Sequence, residues 1–356
     1  MNVKLGKYNQ LKVVKEVDFG VYLDGDDDGE ILLPARYVPD GCKPDDVLNV
    51  FIYLDNEERL IATTLQPLVQ VGEFACLEVA WVNEFGAFLN WGLMKKGSSQ
   101  VTIPLGTVLT IPATGSEMNN GAVISRRETH EKYPFYADYP VFSILDPTVT
   151  FSLPDFQIAC GLADTFVHVM EQYMTKSNES YLMDRWSESI LRTLVQIAPL
   201  IKENKQDYHL MSEFMMSATM ALNGFIAMGV SQDWATHMIG HELTALHGMT
   251  HGQTLAIVFP GTLRTLADKK RDKILQYGER IWGVTSGVPS ARIALTIDKT
   301  EEFFKSLGLK TRLGEAGIGD DTIEEIARRF DERGAAFGED GDVTGEVARR
   351  ILQNCK

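Results

Sequence analysis

No two cysteines of this 356-residue chain lie close together in sequence: Cys42, Cys76, Cys160 and Cys355 stand far apart, and no Cys-x-x-Cys pair occurs. That spacing excludes a disulfide framework and a zinc knuckle, and it fits a reduced, cytoplasmic protein. Residues 1–7 contain no apolar stretch of the kind a secretory signal needs. No apolar run suits a membrane span either. The nearest, residues 211–230, is interrupted by Ser212, Glu213 and Asn223 and reads as a buried bundle helix with methionine as core filler. Neither Gly-x-Gly-x-x-Gly nor a Walker loop is present, and no two glycines are adjacent. Basic excess is missing as well: the formal net charge is -15. An acidic surface repels a polyanion, so phosphate-backbone binding is disfavoured as a bulk property.

What is present is ordinary globular material, 44% hydrophobic and 23% charged, with length for two or three domains. Histidine is concentrated: His237, His241, His247 and His251 fall within fifteen residues, with His130, His168 and His209 elsewhere. Asp164 and His168 stand at i and i+4 in a helix-forming stretch, so both side chains leave one face a turn apart. One such pair more often caps or packs a helix than binds an ion. Three i, i+4 pairs containing His or Asp make a site the better reading. One carboxylate with imidazoles suits Fe(II), Zn(II) or Mn(II), whereas a thiolate cage or an all-oxygen calcium site would need other ligands. Asp164, His168, His237 and His251 are the candidate ligands.

The two ends of the chain are unlike. Residues 1–96 read as β structure with an internal repeat: residues 6–24 align without gaps onto 72–90, an offset of 66. Gly6/Gly72, Leu11/Leu77, Val13/Val79, Phe19/Phe85, Gly20/Gly86 and Leu23/Leu89 are identical. Strand-like runs follow at 107–111, 122–125 and 141–145. Beyond Pro154 helical periodicity dominates, with helices expected at 155–175, 180–203, 208–228, 231–247, 253–267 and 270–282 and more toward the C-terminus. The second repeat stops early, and a truncated barrel exposes strand edges.

The first region resembles the S1 domain, an oligonucleotide-binding five-stranded barrel, and more closely the S1-repeat proteins of the conserved virulence factor B type. Val-Asp-Phe-Gly-Val-Tyr-Leu-Asp at 17–24, Glu-Ile-Leu-Leu-Pro at 30–34 and Ile-Ala-Thr-Thr-Leu at 61–65 carry the resemblance. In S1 modules exposed aromatics such as Phe19 and Tyr22 stack bases, although strand packing explains such aromatics equally well beside Asp24, Asp26, Asp27 and Asp28.

From about residue 101 onward the chain resembles the iron-type alcohol dehydrogenases, most closely the NADPH-dependent butanol dehydrogenase-like aldehyde reductases. Asp-x-x-x-His, then His-x-x-x-His, then a further His fourteen residues after the first of that pair carry the resemblance. Pro-Ala-Thr-Gly-Ser-Glu at 112–117 and Leu-Asp-Pro at 145–147 support it. It implies that Asp164, His168, His237 and His251 hold one divalent metal, Fe2+ or Zn2+. It also implies that His241 is the catalytic residue near the nicotinamide, and that Thr110, Asn119 and Lys132 approach NADP(H). A full member carries well over a hundred residues before the segment at 104–110, with a Gly-Gly-Gly-Ser turn that cradles the pyrophosphate. S1-like sequence stands there instead.

The expected architecture is multidomain: an S1/OB-like barrel at 1–70, a truncated second S1 repeat at 71–96, an α/β remnant of the dinucleotide-binding domain at 97–154 and an all-α metal-binding catalytic domain at 155–356. The expected function is hydride transfer between NADP(H) and a primary alcohol or aldehyde, impaired because most of the dinucleotide site is missing. An S1-type RNA-binding protein with a non-catalytic helical domain is the alternative of another class, with weak RNA binding; a homodimer and no membrane partner complete the expectations. A chimeric gene product joined at about Lys96 is a further alternative. A zincin-type hydrolase is weakened by Ala245, which stands where His-Glu-x-x-His needs its second histidine.

Overall fold

In the computed structural model the described residues are 3–55, 57, 59–73, 92–93, 106–176 and 180–356, with the backbone of 78–83 and 86–90. The chain forms two compact units, Met1–Pro104 and Leu105–Lys356.

The first unit holds strands β1 (Tyr8–Val17), β2 (Gly20–Asp24), β3 (Glu30–Pro34), β4 (Val47–Leu54) and β5 (Leu60–Thr63). They close in the order β1-β2-β3-β5-β4. Closure removes the strand edges, and the alternating inward residues Val13, Val21, Leu23, Ile31, Leu33, Val50 and Ile52 fill the interior. Gly20 turns β1 into β2 hard against β3: a Cβ there would stand 2.1 Å from the Leu33 carbonyl oxygen. A second hairpin, β6 (Glu78–Asn83) and β7 (Gly86–Asn90), follows. Its pairs Val79↔Leu89, Trp81↔Phe88 and Asn83↔Gly86 are those of the first hairpin, Val13↔Leu23, Lys15↔Tyr22 and Val17↔Gly20, displaced by 66 residues. The register irregularity recurs at the same place in both.

The second unit opens with two small sheets. β8 (Gly106–Val108) pairs in parallel with β11 (Phe142–Ile144), and β9 (Gly121–Arg126) pairs antiparallel with β10 (Glu131–Tyr136). The runs expected at 107–111, 122–125 and 141–145 thus correspond to β8, β9 and β11, whereas β10 was not anticipated. Nine helices follow among the described residues: α1 (Asp155–Tyr173), α2 (Tyr181–Glu203), α3 (Tyr208–Leu222), α4 (Ala235–His247), α5 (His251–Thr265), α6 (Arg271–Trp282), α7 (Pro289–Ser306), α8 (Asp320–Glu332) and α9 (Gly345–Gln353). Helix α3 ends six residues before the expected boundary at 228, where Asn223 leaves the helix and Gly224 takes a positive φ of 85°.

Helix α1 is the central element, buried on every side from Ile158 to Tyr173. A helix covered all round must be surrounded by others, and α2, α3 and α5 pack on it. One apolar core gathers Phe166, Val169, Met170, Phe214, Phe259 and Phe304; a second, around Ile239, Val258, Ile326 and Ile351, joins α4 and α5 to α8 and α9. No helix among the described residues is long and apolar enough to cross a membrane.

Candidate metal centre

The buried helix α1 carries Asp164, His168 and Glu171, each no more than 3% exposed. Burial of a charge is costly unless something compensates it. The compensation comes from α4 and α5. Helix α5 starts at His251, and Gly252 lets its first turn lie directly on α1: a Cβ on Gly252 would stand 2.1 Å from the Cys160 carbonyl oxygen. Helix α4 begins beside Trp234, which adopts a left-handed φ of 63°.

These approaches bring three imidazoles around one carboxylate oxygen. Oδ1 of Asp164 lies 3.5 Å from Nε2 of His168, 3.6 Å from Nε2 of His237 and 3.6 Å from Nε2 of His251. All three separations exceed a normal hydrogen bond. They match the edge of a tetrahedron, ~3.4 Å, that follows from ligand bonds of ~2.1 Å. Asp164 Oδ1 and His237 Nε2 are buried and have no hydrogen-bond partner. Unpartnered buried polar atoms that converge on one point fit a cation between them. Asp164, His237 and His251 each bring a donor atom within 4.8 Å of the others. His168 falls outside that group of three, although its Nε2 approaches the same Asp164 oxygen and its ring stacks on that of His237 at 4.5 Å.

The electrostatics follow from this crowding. Burial alone would raise the Asp164 carboxyl, but the imidazoles of His168, His251 and His237 outweigh it and hold the group well below the usual carboxylate range. Burial pushes His168 down to about 4 and His251 down to about 3, against partial compensation from Asp164. His237 goes the other way: burial would lower it, yet the charges of Glu171 and Asp164 raise it to about 9.

Glu171 was not anticipated. Its Oε2 meets Nδ1 of His237, and its two oxygens accept the backbone N–H groups of Thr236, at 2.6 Å, and His237, at 3.2 Å. The sequence signal was present: Glu171 is three residues past His168 and seven past Asp164, on the same helical face.

The other expected site residues are distributed around this cluster. His241, one turn after His237, lies with its ring 5.0 Å from that of His251. Burial, then His251 and Lys132, push it down to about 2, so its imidazole is neutral. Lys132, on β10, is half-buried; desolvation lowers its pKa and the Asp164 charge partly restores it. Asn119 spends its side chain on the chain itself: Nδ2 donates to the Thr114 and Leu222 carbonyls at 2.9 and 3.1 Å, and Oδ1 accepts from the Gly121 N–H. Thr110 is exposed in the segment after β8. His247 contacts Thr322 at 2.9 Å, and His209 follows the Asp207 cap of α3. These two histidines and exposed His130 stand outside the ligand set.

A buried carboxylate ringed by imidazoles inside a helical domain is the donor set of a candidate metal centre. Comparison with known proteins makes this more specific. Residues 158–338 match the Fe-containing alcohol dehydrogenase family, C-terminal; residues 77–147 match iron-containing alcohol dehydrogenase; and residues 5–65 match the S1 domain. The match at 77–147 begins inside the second copy of the repeat. Among relatives, the NADPH-dependent aldehyde reductase YqhD of Escherichia coli (strain K12) is 45% identical over 268 residues, 74% of this chain and 69% of that protein. NADP-dependent alcohol dehydrogenase 3 of Entamoeba histolytica is 42% identical over 72% of this chain and 66% of that one. The crystal structure of Escherichia coli YqhD superposes with a TM-score of 0.70 at 46% identity, covering 72% of this chain and 66% of that one. The chain belongs to the iron-containing alcohol dehydrogenase family and carries an S1 domain at its N-terminal end. It spans about two thirds of the length of these relatives.

Proposed function

We propose that this chain is, by descent, a metal-dependent alcohol dehydrogenase or aldehyde reductase acting between NADP(H) and a primary alcohol or aldehyde. One divalent ion, Fe2+ or Zn2+, would be held by Asp164, His168, His237 and His251. The observation that carries this reading is the convergence of three Nε2 atoms on the buried, unpartnered Oδ1 of Asp164. When bound, the ion supplies Lewis acidity toward the substrate oxygen and stabilises the charge that develops there.

The chain's own residues do the rest. His251, its side chain 21% exposed against 8% or less for the other three, is the candidate ligand nearest solvent and so marks the side proposed for substrate. His241, neutral and flanking His251, offers an imidazole toward a substrate or nicotinamide on that side. Lys132 adds positive charge whose field reaches Asp164, His241 and His251, and with Thr110 and Asn119 it is assigned to the cofactor. Because the Asn119 amide is engaged with the loop backbone, its contribution is to shape the 112–121 turn. The free thiols of Cys42, Cys160 and Cys355 accord with a reducing, cytoplasmic location.

Turnover by this chain is proposed to be impaired, since no Gly-Gly turn is present to cradle a pyrophosphate. Metal content after reconstitution, measured with NADPH oxidation in the presence of butanal, tests both parts. Failure to bind about one ion per subunit would overturn the metal assignment, and full turnover would overturn the impairment.

A second activity, weak RNA binding by the barrel, is supported by Phe19. That ring is 57% exposed, meets Tyr22 edge-on at 6.4 Å, and has Lys15 Nζ 4.8 Å from the Tyr22 ring centre. Aromatic faces with a nearby cation can stack bases.

A further inference from the structure

We infer that Glu171 is a positioning residue for the metal centre: it fixes the tautomer and orientation of His237 and fastens the helix that carries it, and so sets the affinity of the site. The inference rests on the proposed ligand set and adds a residue to it.

The geometry makes the case in three steps. A histidine that offers Nε2 to an ion must carry its proton on Nδ1, and that proton needs an acceptor. Glu171 Oε2 is that acceptor for His237. The Nδ1 atoms of His168 and His251, the other two imidazoles of the proposed ligand set, are buried with no hydrogen-bond partner, so among the three His237 is the one whose ring a carboxylate holds.

Second, the same carboxylate closes the start of α4. The first turn of a helix leaves backbone N–H groups unsatisfied and concentrates positive potential, which a carboxylate answers on both counts. Residue 234, where an ordinary cap would sit, is Trp234 and makes no side-chain cap bond. Glu171 accepts from Thr236 and His237 instead, so one side chain on α1 orients both the ring and the backbone that bears it.

Third, the segment beneath is anchored. The Asp233 N–H donates to the Glu171 carbonyl at 2.9 Å, and Asp233 Oδ1 accepts from Ala235 at 3.1 Å. Buried Lys270 donates to Asp233 Oδ2, to Glu339 and to the Met174 carbonyl, at 2.9, 2.9 and 2.7 Å. The cavity bordered by Glu171, Thr236 and Lys270 has a volume of only ≈ 10 Å³, room for about one water. No substrate reaches Glu171 from that side, which is why its role is to position.

Glu171→Gln keeps the size and one acceptor but presents an amide N–H to His237 Nδ1. That pairing favours the tautomer with the proton on Nε2, where the ion should bind. The test uses the full chain loaded with Zn2+. Affinity is measured by chelator competition for wild type, Glu171→Gln and His237→Ala, with thermal melts in EDTA as a check on folding. The His237 tautomer is read from the imidazole nitrogen shifts of Zn2+-loaded wild type.

The expected result is one tight Zn2+ in wild type, affinity lower by about 10- to 100-fold in Glu171→Gln, and an Nδ1-protonated His237. Unchanged affinity in Glu171→Gln while His237→Ala loses binding would overturn the inference and leave the ligand set standing. Absence of binding in wild type would overturn both. Should Glu171→Gln fail to fold, the wild-type tautomer decides: protonation on Nε2 would sink the inference.

Discussion

Nε2 of His237 and Oδ1 of Asp164 face each other across 3.6 Å, both buried and neither hydrogen-bonded. Two helices are held to bring these atoms together, and a pair left this way loses solvation without gaining a bond. A divalent ion bound between them would resolve the deficit. The purified chain is therefore expected to hold about one ion per subunit. His237→Ala, which removes a converging donor, should lower metal content far more than His247→Ala, whose ring contacts Thr322. Equal metal content in the two variants by elemental analysis would remove His237 from the ligand set.

Glu301 on α7 ties distant parts of the helical unit together. It is 3% exposed and pairs with Arg264 of α5, with Arg312 at 2.8 Å and with Lys305 at 2.8 Å. Burial would raise its carboxyl, but these cations outweigh burial and bring it down from 4.5 to about 2. A depressed carboxyl contributes stability that is complete above its unfolded pKa and is lost as pH falls through the folded one. Wild type should thus lose this contribution between pH 4.5 and about 2. Glu301→Gln should be less stable at neutral pH by about 1.5–3 kcal/mol, the worth of hydrogen bonds to charged groups, and should show a shallower acid limb. Parallel stability curves of wild type and variant across that window, from denaturant melts, would show that the ion pairs contribute nothing.

The parts of this arrangement that sequence reveals are those with a period. The 66-residue repeat carried through to the backbone, since hairpin register follows from where the turn glycines Gly20 and Gly86 fall. The i, i+4 spacing of Asp164 and His168 announced a shared face, and the face is there. Strand β10 escaped notice because Pro134 sits inside it; a two-stranded sheet tolerates the proline because one side of each strand is an edge. Glu171 escaped because a glutamate within a helix ordinarily faces solvent. Its spacing places it on the face of Asp164 and His168, but the contact with α4, sixty-six residues away, that gives it a role is one that spacing alone does not encode.

RNA binding by the barrel, if assayed at physiological salt, is expected to be weak and to depend on Phe19 and Tyr22. The stacking surface they offer is set against Asp24, Asp27, Asp28 and Glu30 on the adjoining strands and turn, and like charge opposes the phosphate backbone. Phe19→Ala should weaken retention of a single-stranded oligonucleotide by about 1–3 kcal/mol, the worth of one stacked base. Tight, salt-insensitive binding that survives removal of residues 1–70 would place the nucleic-acid site elsewhere.

The last expectation concerns hydride transfer. It requires the nicotinamide carbon and the substrate carbon to be held at near-attack distance, and a misplaced cofactor forfeits orders of magnitude in rate. Lys132 and His241 stand close enough to the ligand cluster to influence each other's charge. Remote contacts to pyrophosphate and adenosine normally supply the binding energy that pays for such placement, and the sequence contains no adjacent glycines to build that cradle. Metal-loaded protein should therefore oxidise NADPH with butanal slowly. A version in which residues 1–96 are replaced by the dinucleotide-binding domain of a full-length relative should be faster by at least about 100-fold, the scale expected from misplacement. Comparable turnover in the two would show that the S1-bearing chain already positions the cofactor, and that residues outside the glycine turn provide its phosphate contacts.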